Sequence, residues 1–296
     1  MSEANRAGAW ELGKHGDVPC ATAEITRVDP ATILFIGDLH LDSPHTARAP
    51  LKRVLDEAVQ RNAAIVLLGD QMDLMQGRND RRSSKEQLRA QYAGRDDYLT
   101  AALEDVTEFL LPYARHVWLV LDGNHEGTVL KYNEVSMTRL LVHNLRAEGS
   151  GAIAPGYQTY AVLRLDTGQK RVFSAPFWLT HGSGGSAAVT GGVISAQRRA
   201  VVYPDAEFVM SGHLHQEFYK PFVQHRISHR GRVYNAKQRH YQVSAWKQDF
   251  TNAPGWASEK GLPPAVAGGW WLEVRRARGE NPVPPYKFRF FEADGD

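Results

Sequence analysis

Five times along the chain, a short apolar run stops beside a glycine and gives way to acids, amides or histidines. "ATILFIGDLH" ends in Asp38 and His40, and "AAIVLLGDQMD" in Asp70 and Asp73. "HVWLVLDGNHE" ends in Asn124, His125 and Glu126, "FWLTHG" in His181, and "AEFVMSGHLH" in His213 and His215. Apolar, β-branched runs of this length read as buried strands. Glycine lets the backbone leave a strand abruptly, which gathers the following side chains over one sheet edge. In open α/β sheets, ligands bind outside the carboxyl ends of the strands.

Helical patterns stand between the runs. "RAPLKRVLDEAVQRN" places Leu51, Val54, Leu55, Ala58 and Val59 at helical spacing, with Pro50 near its start. The stretch from Ser83 to Arg115 reads as one long helix with Leu99, Leu103, Val106, Phe109 and Leu110 on its apolar side and Pro112 at its end. "NEVSMTRLLVHNLRA" and "VISAQRRAVV" read as further helices. "YQTYAVLRL", "KRVFSA" and "FWLTHG" read as strands, and from Glu217 onward strand and turn dominate. The expected fold class is α/β: an α+β sandwich of two stacked mixed β-sheets flanked by helices, with the polar clusters at the carboxyl ends of the strands. The first thirty residues are polar and without a clear period. They read as an arm or loose cap, 1–30, before a single domain over 31–296 with a β-rich C-terminal portion from about 217 to 296.

Composition excludes some classes. No apolar run approaches the roughly 20 residues that span a bilayer, and the N-terminus lacks a basic-then-apolar signal pattern. The single Cys20 cannot form an internal disulfide, in keeping with a reducing compartment. The expectation is a soluble, cytoplasmic protein without a membrane partner. A net charge of +2 does not by itself announce a polyanionic partner. The basic residues do cluster, over 78–95 and again over 225–240, where "HRISHRGRVYNAKQRH" interleaves cations and rings. Such mixtures suit DNA or RNA strands; they equally suit a solvated helix start and the charged face of an edge hairpin.

Each cluster alone has a structural reading. Asp38 after a strand serves as a turn or cap residue, Asn124 as a helix cap, and His213 and His215 share one face of a strand. Five clusters in this order point instead to metal. Mixed carboxylate, imidazole and amide ligands suit manganese, iron or zinc. Two divalent ions, manganese foremost, would clamp a phosphoryl group and lower the pKa of a shared water.

The set "GDLH…GDQMD…GNHE…THG…GHLH" resembles the calcineurin-like metallophosphoesterases from Asp38 to His215. The resemblance implies a two-sheet sandwich with a dinuclear centre at one edge and phosphoric ester hydrolysis. It implies that Asp38, His40 and His215 hold one metal, that Asp70 bridges, and that Asn124, His181 and His213 hold the second. It makes His125 the catalytic histidine and Asp73 the acid that orients it. Glu126 reads as a helix-start residue; His45, which follows the first cluster directly, reads either as a residue of the cleft or as merely exposed. The protein phosphatase branch carries an arginine where this chain has Leu74. That departure favours a phosphodiesterase or nuclease over a phosphomonoesterase acting on a nucleotide, small molecule or phosphoprotein. A binding module that keeps the metal site without turnover is the third reading.

Overall fold

The computed structural model describes residues 6–25, 29–75, 88–166, 172–185, 190–248, 266–277 and 286–294. Two sheets are stacked face to face. The smaller has five strands: β4 (Ala31–Ile36), β5 (Ala64–Leu67), β6 (Val117–Val120), β12 (Gly268–Arg276) and β13 (Tyr286–Asp294), in the order β13-β12-β4-β5-β6. β4, β5 and β6 run parallel, and the late hairpin β12–β13 joins β4 antiparallel. The larger sheet has eight: β1 (Arg6–Ala7), β2 (Trp10–His15), β3 (Val18–Glu24), β7 (Gln158–Asp166), β8 (Val172–Thr180), β9 (Phe208–Ser211), β10 (Phe218–Ile227) and β11 (Val233–Gln242). Their order is β1-β2-β3-β7-β8-β9-β11-β10.

Strand alternation builds the core. In β4, Ile33 and Phe35 face the larger sheet, where they join Phe177, Leu179, Phe208 and Met210. Leu34 and Ile36 face the other way, onto Leu51 and Leu55 of α1 (Arg48–Gln60), Val106 of α2 (Tyr98–Leu110) and Leu141 of α4 (Met137–Ala147). A strand apolar on both sides is therefore buried on both sides, as its continuous apolar run requires. The remaining α-helices among the described residues are α3 (Asn124–Asn133) and α5 (Val193–Val202).

Three sequence expectations are corrected. Residues 6–24, read as part of an arm, form β1–β3 and pair through Cys20–Glu24 with β7. Trp10 is fully buried and donates from Nε1 to the Thr32 carbonyl across the sandwich. Short strands with one buried face carry too few apolar residues to stand out. The long helix from Ser83 is α-helical only over Tyr98–Leu110, followed by a 3₁₀ turn to His116; residues 83–87 lie outside the described residues. Gly94, at φ +76°, sits in the non-helical stretch before it. Val172–Ala175 and Phe177–Thr180, read as parts of two strands, form a single strand, β8, which runs through Pro176; that residue still accepts Glu207 N–H at its carbonyl, and residues 170 and 171 lie outside the described residues.

No helix among the described residues is long and apolar enough to cross a membrane.

Candidate metal centre

The carboxyl ends of β4, β5, β6, β8 and β9 open on one edge of the sandwich. Main-chain bonds stitch the loops together there: Asp38 N–H to Gly69 O (2.9 Å), His40 N–H to Asp70 O (3.0 Å) and Gly212 N–H to His181 O (2.9 Å). Among the described residues, eight non-glycine residues have positive φ. Five of them are Asp38 (50°), His40 (45°), Asp70 (50°), His213 (75°) and His215 (56°). Left-handed backbone is uncommon for residues with a Cβ, and its concentration in one place marks a segment whose side-chain placement matters more than backbone ease.

Two glycines make the approach possible. Gly69 has φ +95°, and a Cβ there would enter the His181 ring. Gly123 has ordinary extended backbone, but its missing Cβ leaves the space that the Asp70 carboxylate fills. Gly123→Ala is therefore expected to destabilise the protein by about 3 kcal/mol. Urea unfolding in the presence of chelator reads this directly; an unchanged midpoint would show that the Asp70 loop moves aside freely.

The side chains fall into three groups whose ligand atoms lie within 4.8 Å of one another: Asp38–His40–His215, Asp70–His181–His213 and His40–Asp73–His125. Asn124, the first residue of α3, places Oδ1 2.9 Å from His181 Nε2 and 2.8 Å from His213 Nδ1. The nine residues to which the resemblance gives a metal or catalytic role thus meet at one edge. His45 is half-buried, belongs to none of the three groups, and gives its carbonyl to Gln248 N–H.

The hydrogen bonds fix the ring tautomers. His181 Nδ1 faces the Leu68 carbonyl at 2.8 Å, and His213 Nε2 faces the Gly184 carbonyl at 3.0 Å. A carbonyl only accepts, so each of these nitrogens carries the proton. The opposite nitrogens, His181 Nε2 and His213 Nδ1, then aim lone pairs at Asn124 Oδ1. Lone pairs facing an oxygen repel unless each ring takes a second proton or a cation lies among them. A ring N–H held by a carbonyl is also the usual outer support of a metal-bound imidazole. On the other side, Asp38 Oδ1 and His40 Nε2 are buried without a hydrogen-bond partner among the described residues, and His215 Nε2 stands 3.3 Å from Asp38 Oδ1.

Charge completes the picture. Burial opposes ionisation of Asp70, but His125 and His181 outweigh it and hold the carboxyl well below its usual range. Burial likewise opposes a charge on His181, yet Asp70 and Asp38 raise its pKa to about 10. Without a cation, His181 serves as a counter-charge to the buried carboxylates. Donor chemistry, tautomers and orphaned atoms all fit divalent metal.

Asp73 differs from expectation. Its carboxylate lies 2.9 Å from His40 Nδ1 and 3.1 Å from Lys247 Nζ, but 3.9 Å from His125 Nδ1. His125 Nδ1 instead donates to the Asp73 main-chain carbonyl. The turn that presents this carbonyl is held by Asp42, which accepts from Asp73 N–H, Leu74 N–H and the Tyr98 hydroxyl.

Sequence reasoning also underrated Glu126. It is buried, and it accepts from the N–H groups of Asp70 (3.2 Å), Met72 (3.1 Å) and Gly123 (3.0 Å). One carboxylate thus ties two of the ligand-bearing loops together. Burial, then the charge of Asp70, pushes its pKa up to about 8. The helix-start position was visible in the sequence; the contact across 56 residues was not. Lys247 and Asp42 carried no signal at all.

The profile of the calcineurin-like phosphoesterases matches residues 31–217, more than half of the sequence. The chain belongs to that family. No curated protein matches it. Among solved structures it is similar to Vps29 of Entamoeba histolytica in complex with zinc, at 12% identity and TM-score 0.35, over 89% of this chain and 99% of that one. A predicted phosphoesterase of Streptococcus pneumoniae aligns at 12% identity and TM-score 0.34, over 90% and 91%. Vps29 of Chaetomium thermophilum aligns at 11% identity and TM-score 0.34, over 90% and 98%. The family assignment rests on the sequence match. It makes the edge cluster a candidate divalent-metal centre of a metal-dependent phosphoesterase.

Proposed function

We propose that this calcineurin-like phosphoesterase hydrolyses phosphodiesters, with two divalent ions, manganese foremost, at the edge cluster. The observation that carries the proposal is the division of the cluster. Asp38, His40 and His215 form one group and Asp70, His181 and His213 another, and Asn124 touches both histidines of the second. In this reading Asp38, His40 and His215 hold the first ion, Asn124, His181 and His213 the second, and Asp70 bridges. When bound, such a pair would supply positive charge for the phosphoryl oxygens and a water of lowered pKa.

The remaining steps belong to the chain's own residues. His125 is not needed for either group. Its Nδ1 proton is committed to the Asp73 carbonyl, and its Nε2 lies 3.7 Å from Asp70 Oδ2, beside the reacting centre. That leaves Nε2 to carry a proton to the leaving oxygen. Asp73 and Lys247 hold the His40 ring in place. Asp38 Oδ2 accepts from His213 N–H at 2.8 Å and fixes the loop that bears His213 and His215.

The preference for diesters rests on position 74. An arginine there would help to neutralise the second charge of a phosphomonoester. Leu74 is buried among Met72, Leu41 and their neighbours and offers no charge. With manganese added, bis-p-nitrophenyl phosphate is expected to turn over faster than p-nitrophenyl phosphate by about tenfold, a barrier difference of about 1.4 kcal/mol. Strong activity on phosphopeptides and none on diesters would reverse the order. Absence of metal-dependent turnover on both, and on single-stranded DNA, would leave the binding-module reading.

The nucleic-acid form of the proposal has less behind it. Of the basic segment 78–95, residues 78–87 lie outside the described residues; Arg89 pairs with Asp105 and Arg95 with Asp97. Segment 225–240 is the edge hairpin β10–β11, in which Arg239 pairs with Glu207.

A further inference from the structure

On the outer face of the larger sheet, a cavity of about 220 Å³ lies between α5 and the ends of β7 and β8. Its lining includes Arg198, Arg199, Ser183, Ser195, Tyr157 and Trp178. Among the described residues no carboxylate lines it. The loop Gly182–Gly184, next to His181 in the chain, forms part of its wall. The carbonyl of Gly184 accepts from His213 Nε2, and the carbonyl of Gly182 accepts from the Tyr157 hydroxyl at 2.6 Å. The cavity and the centre therefore share one strip of backbone.

Arg199 is the unusual element. It is half-buried; among the described residues its Nε is buried without a hydrogen-bond partner and its Nη2 reaches only the Ser211 hydroxyl at 3.3 Å. Among the described residues it has no acidic partner. Burial lowers its pKa to about 10, and of its neighbours only Tyr203 pulls the other way. His240 nearby is held in the neutral form, since burial and then Arg199 itself lower its pKa to about 3. A guanidinium withdrawn from water without a carboxylate is costly. Folds keep such a group when a ligand supplies the missing charge, and arginine matches the fork of a phosphate oxygen pair. Arg198 on the same turn of α5 and two hydroxyls at the wall add donors for the same kind of group.

We infer that this cavity is a subsite for a second phosphate of the substrate, with Arg199 as the specificity-determining residue. The size agrees: 220 Å³ is below the usual range for a whole drug-sized ligand, yet ample for one phosphate with part of its sugar. The stacked pair Trp178–Tyr203, with ring centroids 3.8 Å apart, forms a rigid floor and not an open slot for a base. The substrate class is then a small phosphodiester that carries a separate phosphate monoester. The inference rests on the diester reading above, and its test separates the two.

The probes are thymidine 5′-(p-nitrophenyl phosphate) and the same compound with a 3′-phosphate, which differ only in the second phosphate. The manganese-loaded wild type is expected to prefer the 3′-phosphorylated compound in kcat/KM by about 10- to 100-fold, the range of a charge-assisted hydrogen-bonded pair. Arg199→Gln should bring the ratio near one, chiefly through KM. Arg198→Gln, at an exposed position, should reduce it by a smaller factor and serves if Arg199→Gln does not fold. A wild-type ratio near one, or a ratio that survives both substitutions, overturns the subsite. If neither compound is hydrolysed, the diester reading fails on its own. Calorimetric titration of the metal-free protein with thymidine 3′,5′-bisphosphate then decides: binding weakened about tenfold or more by Arg199→Gln supports the subsite, and equal or absent binding overturns it.

Discussion

Asp70→Asn is expected to abolish turnover and to leave the protein short of metal. Asp70 is buried, lies in the loop that follows β5, and stands with His181 and His213 in one ligand group. Its Oδ1 accepts from His125 N–H at 3.0 Å, and its Oδ2 lies 3.3 Å from His181 Nε2. An asparagine keeps the size and can keep the bond from His125 N–H, so the loop should survive. What disappears is a full negative charge that two cations would share. Metal-centred charge stabilisation is worth several kcal/mol, so kcat should fall by at least about 10³-fold. Metal analysis after gel filtration gives the companion reading: both equivalents should drop, because a bridge serves both. Two full equivalents with activity intact would remove Asp70 from the bridging position.

The elements that surround this residue are largely legible in the sequence. Continuous apolar runs identify β4, β5 and β6, because strands buried on both faces have no polar side to hide them. Punctuation by glycine identifies where each run ends. The N-terminal strands escaped for the opposite reason: β2 buries Trp10 and Leu12 but exposes Lys14 and His15, and its pattern spans too few residues to rise above a loop. The stretch before α2 was overextended because α2 itself is strongly amphipathic, and its pattern blurs into the polar residues ahead of it.

The site divides along the same line. Ligand candidates were legible because the chemistry demands particular side chains at strand ends. Their supports were not, because a support can come from anywhere in the chain. Lys247 reaches Asp73 from 174 residues away, and nothing in "SAWKQD" announces it. Glu126 was named but given only a local role. The partner of His125 was legible by residue and not by atom: Asp73 is the right neighbour, yet its carbonyl and not its carboxylate makes the bond. Sequence spacing brings two residues together; only the turn held by Asp42 decides which group of Asp73 points where.

That last point sets the expected behaviour of His125 and Asp73. His125→Ala should leave metal content near wild type, because neither of the two proposed ligand groups needs it. Loss of a general acid costs about 10²–10⁴-fold, and kcat should fall by that order for poor leaving groups such as an alkoxide. For p-nitrophenolate, which departs without protonation, the loss should shrink. Asp73→Asn should behave differently. The carbonyl that holds His125 Nδ1 is main chain and survives the substitution, so the leaving-group dependence should stay as in wild type. The carboxylate that holds His40 Nδ1 and pairs with Lys247 is lost, and supports of this kind typically cost 10- to 100-fold in metal affinity or activity. Asp73→Asn should therefore raise the metal concentration needed for half-maximal rate. The double variant should be close to the product of the two single losses, as for residues that act on separate steps. A double variant no worse than His125→Ala would instead mean that Asp73 works through His125. Metal loss in His125→Ala would place this histidine among the ligands.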